Sequence, residues 1–468
     1  MGIIEGFEKY MDYLAEGLAH ADRRAGLKGY CTGLMLALSR KSVEPIAARI
    51  DPQHVSARHQ SLHHFVAKSE WSDQAIIARV RDRVAPLLGA EGGLYWIIDD
   101  TGFPKKGRHS VGVARQYCGQ LGKQDNCQVA VSLSLASPRG SVPIAYRLYL
   151  PAQWAEDCVG RAKAQVPGDV KFATKPQIAL EQVRAAIASG VAPAIVLADA
   201  AYGDETAFRD ELTRLGLLYA VGVRPGTTVW PPGVAPLAAK SWRGRGRQPT
   251  LLRRAPGHEP STVKALAMSL SREAYQPVSW REGTNEALSS RFARVRVRAA
   301  HRDYWRSQMR PEQWLLIEWP DGDKEPLKYF LSTAPEQATI EQLVFVAKMR
   351  WRIERDYQEL KQEFGLGHYE GRGWVGFHHH ATLSIAAYGF LMAERLRTGR
   401  EVKKNAFQRQ TPVIPDDYIA RGSPAGAAPC IGLDHDTTHW ADLSPDAPTG
   451  PMSMLRARRK CRFNYLTQ

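Results

Sequence analysis

Four acidic residues at three places in the sequence have the type and setting that metal-assisted chemistry needs. Asp99 and Asp100 end the apolar run of WIIDDTG, Asp199 ends that of IVLADAAYG, and Glu354 lies within MRWRIERDYQELK. Carboxylates at the C-terminal ends of strands converge at one sheet edge, where ligands of α/β proteins commonly bind. Hard oxygen donors there suit Mg²⁺ or Mn²⁺. A pair of such ions can activate water and stabilise the leaving oxygen of an in-line phosphodiester displacement. Taken singly, each acid reads as a cap or turn residue. The helical site adds more, because Arg350, Glu354 and Lys361 are four and seven residues apart and share one face. Val346, Met349, Ile353, Leu360 and Phe364 mark an adjacent core-facing stripe. A carboxylate between two cations is either a surface ion-pair ladder or a metal ligand flanked by phosphate-gripping side chains.

The elements that must position these residues follow from periodicity. At 468 residues, 44% hydrophobic and 24% charged, the chain has length for two to four domains, and its composition excludes wholesale disorder or a fibrous repeat. Residues 1–90 read as helical. One helix is expected from about Ser42 to Ile50, with Asp51-Pro52 as N-cap and first-turn proline of a second helix to about Ala67, a pair that suits a helix-turn-helix. Strand-like runs follow at 94–99, 128–136 and 143–151, then a helix bearing Leu180, Val183 and Ile187, a buried strand at 194–199, a helix in DETAFRDELTRLG and a strand at 217–223. This β-β-β-α-β-α-β order predicts an α/β domain with a mixed sheet. Two more strands are expected at 313–319 and 327–333, a long helix from Thr339 or Ile340 to about Phe364, and an apolar helix from about Thr382 to Leu396. Beyond Thr398 the Pro-, Gly- and Asp-rich sequence, ending in LRARRKCRFN, predicts a loosely ordered tail.

Lys and Arg number 63 against 48 acidic residues, a formal +15 that favours an acidic polymer such as nucleic acid as partner. The excess is local: Lys240–Arg310 holds 16 Lys/Arg and five acidic residues. Within it, RFARVRVRAA alternates Phe292, Val295 and Val297 imperfectly with Arg291, Arg294, Arg296 and Arg298, a half-buried strand with a basic face. The six scattered cysteines suggest neither a disulfide framework nor a zinc site, and reduced thiols in the cytoplasm are expected. Neither a secretion signal nor a membrane span of about 20 apolar residues is read. His378-His379-His380 reads as a helix start or DNA-facing turn rather than a metal site. Trp230, Trp242, Trp280 and Trp305 are either buried indoles or stacking surfaces for an extruded base.

The strand-end WIIDDTGFPKKG, the strand-end VLADAAYGD and the helical R-x3-E-x6-K resemble the DDE transposases of bacterial insertion sequences, with the order and spacing of the IS4-type group. GFPKKGRHSVGVARQYCGQLGKQDNCQVAVSLSLA and KYFLSTAP…RWRIERDYQELKQEFGLGHYEGRGW resemble the IS701 family more narrowly, and the likeness covers roughly residues 10–395. It implies a ribonuclease H-like catalytic core (91–223 and 311–397) with a basic, mainly-β insertion (224–310), preceded by a small helical DNA-binding domain (1–90) and followed by the tail (398–468). The 154 residues between Asp199 and Glu354 independently require an insertion. The implied catalytic and metal-binding triad is Asp100, Asp199 and Glu354. Asp100 is preferred over Asp99 because the family's aspartate directly precedes the Thr, and only one of two successive strand residues can ligate metal.

Arg350 and Lys361 are assigned to phosphate contact, Lys105 and Lys106 likewise, and Arg294, Arg296 and Arg298 to the DNA backbone. The related signature places a Tyr three residues before the Arg; Ala347 stands there, so the relatives' hairpin route is not implied. The expected activity is Mg²⁺- or Mn²⁺-dependent transposition with two ions. The terminal inverted repeats are bound, the ends are cut, and the freed 3′-OH is joined to target double-stranded DNA by a homodimer in the bacterial cytoplasm and nucleoid. The alternatives are a catalytically silent, transposase-derived DNA-binding protein and a ribonuclease H-like nuclease without strand transfer.

Overall fold

The structure, a computed structural model, describes residues 2–90, 93–282 and 287–398. The expected tail lies, apart from its first residue, outside them. Five helices come first: α1 (Ile3–Ala15), α2 (Arg23–Met35), α3 (Val43–Ile50), α4 (Val55–Ala67) and α5 (Asp73–Leu88). Two glycines let α2 approach its neighbours closely. A Cβ at Gly26 would strike the Phe65 ring, and one at Gly33 would strike Ile46. Asp51 does not cap α4 as expected. Its carboxylate takes His54 and Arg58, and α4 begins only at Val55, after a turn.

β1 (Tyr95–Pro104), β2 (Ala114–Cys118), β3 (Lys123–Ser137) and β4 (Gly140–Leu148) form an antiparallel meander. Short α6 (Ala152–Glu156) and α7 (Cys158–Lys163) lead to α8 (Lys175–Ala188), which opens on a capping box of Thr174 and Gln177. β5 (Ile195–Ala198), α9 (Ala200–Gly203), α10 (Thr206–Arg214) and β6 (Tyr219–Val223) follow. β5 lies parallel to both β1 and β6. The region between the second aspartate and the glutamate adds β7 (Thr228–Trp230), β8 (Ser261–Thr262), α11 (Val263–Ser269), β9 (Gln276–Glu282), β10 (Ala287–Ala299), β11 (Gln313–Glu318) and β12 (Lys328–Ser332). Its strands do not stand apart. They continue one mixed sheet, of twelve strands among the described residues, in the order β2-β3-β1-β5-β6-β12-β11-β10-β7-β8.

The expected long helix is two, α12 (Ile340–Lys348) and α13 (Trp351–Gln362), with the break at Met349-Arg350. α14 (Trp374–Thr398) starts eight residues before the expected Thr382. It is the spine on which the N-terminal helices pack: Tyr10 donates to Ala386 O at 3.0 Å, and Tyr30 pairs with His380 Nδ1 at 2.9 Å. His378, His379 and His380 are all buried in α14 and hydrogen-bonded within the protein, which removes the DNA-facing alternative. No helix among the described residues is long and apolar enough to cross a membrane.

Candidate active site

Side chains alternate along β1. Tyr95 and Ile97 pack with Val346, Met349, Ile353 and Tyr357 of the α12–α13 pair, whereas Trp96 and Ile98 enter the main core on the other face. Two residues on from Ile97, Asp99 continues the α13 face, and Asp100 continues the opposite one. Ile97 pairs in parallel register with Leu197, so Asp99 and Asp199 stand at equivalent positions of adjacent strands. Both precede the point where the β5 chain leaves the sheet: Asp199 caps α9, accepting from Ala201 N at 2.9 Å. That tight exit depends on Gly203 and Gly222, since a Cβ on Gly203 would strike Gly222 O, and one on Gly222 would lie 2.9 Å from Ala200 N.

Arg350, at the break between α12 and α13, donates to Asp99 Oδ2 at 2.7 Å and lies 3.5 Å from Glu354 Oε1. Burial pulls its basicity down, but Asp99, Asp199 and Glu354 together hold it above the ordinary value. Burial likewise pushes the Asp99 carboxyl up to about 7. Arg350 opposes that rise, and Asp199 and Asp100 add to it. Glu354 sits in the first turn of α13, where the helix dipole favours an anion, with its side chain 70% exposed. Asp100 is engaged elsewhere: Lys175 donates to its Oδ2 at 3.0 Å and Tyr202 at 3.2 Å. The structure thus gathers Asp99, Asp199 and Glu354 around Arg350 and sets the expected Asp100 on the far side of β1, tied to Lys175.

Burial, followed by Asp100, Asp99, Tyr357 and Asp199, raises the Tyr202 hydroxyl well above its ordinary range, so this phenol stays protonated beside the three aspartates. Lys175, Tyr202 and Asp99 in this role are residues that sequence reasoning missed. The parity of WIIDD and IVLAD, counted back from the two strand ends, was the available signal for Asp99.

A cleft of about 520 Å³ opens beside Asp199 and Glu354, walled by Trp280 and Arg281 of β9, Lys328 and Phe330 of β12, and Lys348, Arg350 and Trp351. Successive antiparallel registers bring β9 and β10 to it: Val223 faces Tyr329, Lys328 faces Glu318, and Glu318 faces Phe292. The C-terminal end of β10 points to the opposite sheet edge, so Trp305 lies away from the cleft. Trp230 is buried and donates to Asp303 at 2.6 Å, while Trp242 is exposed. Trp280 is the indole at the cleft, with the Lys348 ammonium 4.2 Å from its ring centroid.

The expected cations are mostly committed. Lys361 donates to Gly102 O at 2.9 Å and Gln120 Oε1 at 3.2 Å, fastening α13 to β1, and burial pushes its ammonium down to about 8. Lys105 donates to Tyr369 O at 2.8 Å; Lys106 is exposed. Arg294 donates to Ala338 O, Arg296 to Glu312 O at 3.0 Å, and Arg298 to Arg310 O at 2.8 Å and Glu312 at 3.0 Å. These strand arginines brace neighbouring segments rather than present a bare basic face.

Carboxylate oxygens are the donors that a divalent cation takes. Among the described residues no three His, Cys, Asp or Glu groups stand together as a closed metal cage, because Arg350 bridges the acids. Residues 13–287, more than half of the chain, match the family described as DDE superfamily endonuclease, and the chain belongs to that family. Its members depend on metal ions, generally divalent cations. The chain is also 32% identical, over 193 residues, to the probable transposase for insertion sequence element IS701 of Microchaete diplosiphon, a match covering 41% of this chain and 47% of that protein. The chain therefore spans about half the length of the curated relative it matches. The resemblance read from the sequence motifs is borne out by both matches.

Proposed function

We propose that this chain is the transposase of an insertion sequence. It binds the element's terminal inverted repeats, hydrolyses the DNA at its ends and joins the freed 3′-OH to target DNA. The observation that carries this reading is the meeting of Asp99, Asp199 and Glu354 around Arg350, on elements more than 90 residues apart in sequence, beside a cleft rimmed by cations. The order β3-β1-β5-β6, antiparallel then parallel, supports a ribonuclease H-like core. Asp199, Glu354 and one of the Asp99–Asp100 pair would hold one or two divalent ions, Mg²⁺ or Mn²⁺. The β1 register favours Asp99 for that role and leaves Asp100 to orient Lys175 and Tyr202. Bound there, the metal supplies an activated water and charge stabilisation for the leaving oxygen.

The chain's own residues do the rest. Arg350 neutralises the carboxylates when DNA is absent and is placed to turn to a phosphate when they are otherwise engaged. Lys328, Lys348 and Arg281 line the approach of the anionic strand. α3 and α4 are the elements proposed to read the repeats, and two subunits are needed to hold two ends. Incubating the chain with Mg²⁺ and a duplex carrying the ends of its own element tests the reading. Nicks at the repeat boundary and joined products are expected. Binding without either product would favour a catalytically silent DNA-binding protein, and cleavage without joining a nuclease.

A further inference from the structure

Behind α13, on the side away from Glu354, lies a groove of about 340 Å³ that the carboxylate site does not use. Arg352 and Arg355 of α13, Arg139 of the β3–β4 turn and Arg395 of α14 line it, against two acids, Asp356 and Glu359. The acids are buried and act as braces. Arg355 donates to Glu359 Oε1 at 2.8 Å and Arg395 to Oε2 at 2.6 Å, while Ser141 and Tyr388 donate to Asp356 Oδ1 at 2.6 and 2.9 Å. The guanidinium ends nonetheless reach solvent: the side chains of Arg355 and Arg395 are 60% and 42% exposed. Arginines fixed at their root by a buried carboxylate and open at the tip are preorganised for bidentate contact with phosphate oxygens.

This groove is continuous with the catalytic cleft through Trp351, which lines both. Arg281 lies 4.0 Å and Arg352 4.5 Å from the centroid of that ring, so cations flank the indole on the path between the two. We propose that the groove is a second phosphate track, which holds a DNA backbone running past Trp351 from the carboxylates. The proposal rests on the transposase reading, in which one site acts on the element's end and then on target DNA, so two backbones must pass it. Donor and target DNA share the phosphodiester chemistry that the groove would recognise.

The test uses the full chain and measures the dependence of DNA affinity on salt, without divalent metal, for a repeat-free duplex and for a duplex carrying the element's ends. R352Q/R355Q removes two phosphate contacts, which should lower the magnitude of the log–log slope by about 1.8. R352K/R355K keeps both charges and should keep the slope. A fall with both duplexes assigns the track to backbone regardless of sequence, target DNA included. A fall with the end duplex alone assigns it to the donor. An unchanged slope with both duplexes overturns the proposal, as does an equal fall in the lysine variant, which would trace the effect to packing. The repeat-free duplex reads the groove even if the wild-type chain neither prefers its ends nor cleaves them, so failure of the transposase reading is distinguishable from failure of this one.

Discussion

Arg350 joins α13 to the end of β1 by a 2.7 Å hydrogen bond to Asp99, a contact between residues 251 positions apart. Replacing Arg350 by Leu would leave the Asp99 carboxylate in a largely buried site without its cation. Such a loss costs about 3 kcal/mol when the partner stays charged. Denaturant unfolding of R350L should show a destabilisation of that order, and R350L/D99N should recover much of it. Equal stability of the wild type and R350L would mean that the pair contributes nothing.

Glu359 would be a neutral control for Glu354 if helix faces alone were considered. The structure buries it between Arg355 and Arg395. E359Q should therefore lower stability by about 1–3 kcal/mol, since charge-assisted bonds become neutral ones in a buried site. A melting temperature within a degree of the wild type would contradict this.

Three free phosphate contacts at Arg294, Arg296 and Arg298 would contribute about 2.7 to the salt slope of DNA binding. Because each already donates to a protein acceptor, the triple glutamine variant should lose less than half of that while unfolding more readily. A loss near the full value with unchanged stability would restore these residues to the DNA surface.

Burial pushes the His380 imidazole down to about 4 from its ordinary 6.5, and its neutral form fits the site: Nε2 donates to Gly365 O, while Nδ1 accepts from Tyr30. A depressed value means that the fold favours the unprotonated ring. The contribution is complete above about pH 6.5 and is lost as pH falls towards 4, on the order of 3 kcal/mol in all. Unfolding free energies measured across that window should fall with acid more steeply for the wild type than for H380Q. Parallel curves would contradict the assignment.

Much of this architecture was legible in the sequence. The order of strands and helices through Val223 follows from periods of two and 3.6, and the strand-end acids from apolar runs that stop abruptly. The choice between Asp99 and Asp100 was harder, because Tyr95–Ile98 are buried on both faces and WII carries no alternation to orient the two aspartates after it. The break at Met349-Arg350 has no Gly or Pro to announce it. The continuation of one sheet through β7–β12 depends on pairings between distant residues, as do the partners that absorb Lys105, Lys361 and the β10 arginines. β2, short and half polar, lacked the apolar run by which the other core strands were found.

The most direct test is Mg²⁺-dependent cleavage of element-end DNA by four single variants, D99N, D100N, D199N and E354Q, each matched for folding and for metal-free DNA binding. D99N, D199N and E354Q should lose cleavage by several orders of magnitude while still binding DNA, and D100N should keep substantially more activity than D99N. Near-normal cleavage by D99N, D199N and E354Q alike would contradict the carboxylate mechanism; abolition by D100N with D99N intact would contradict the strand register on which the site is built.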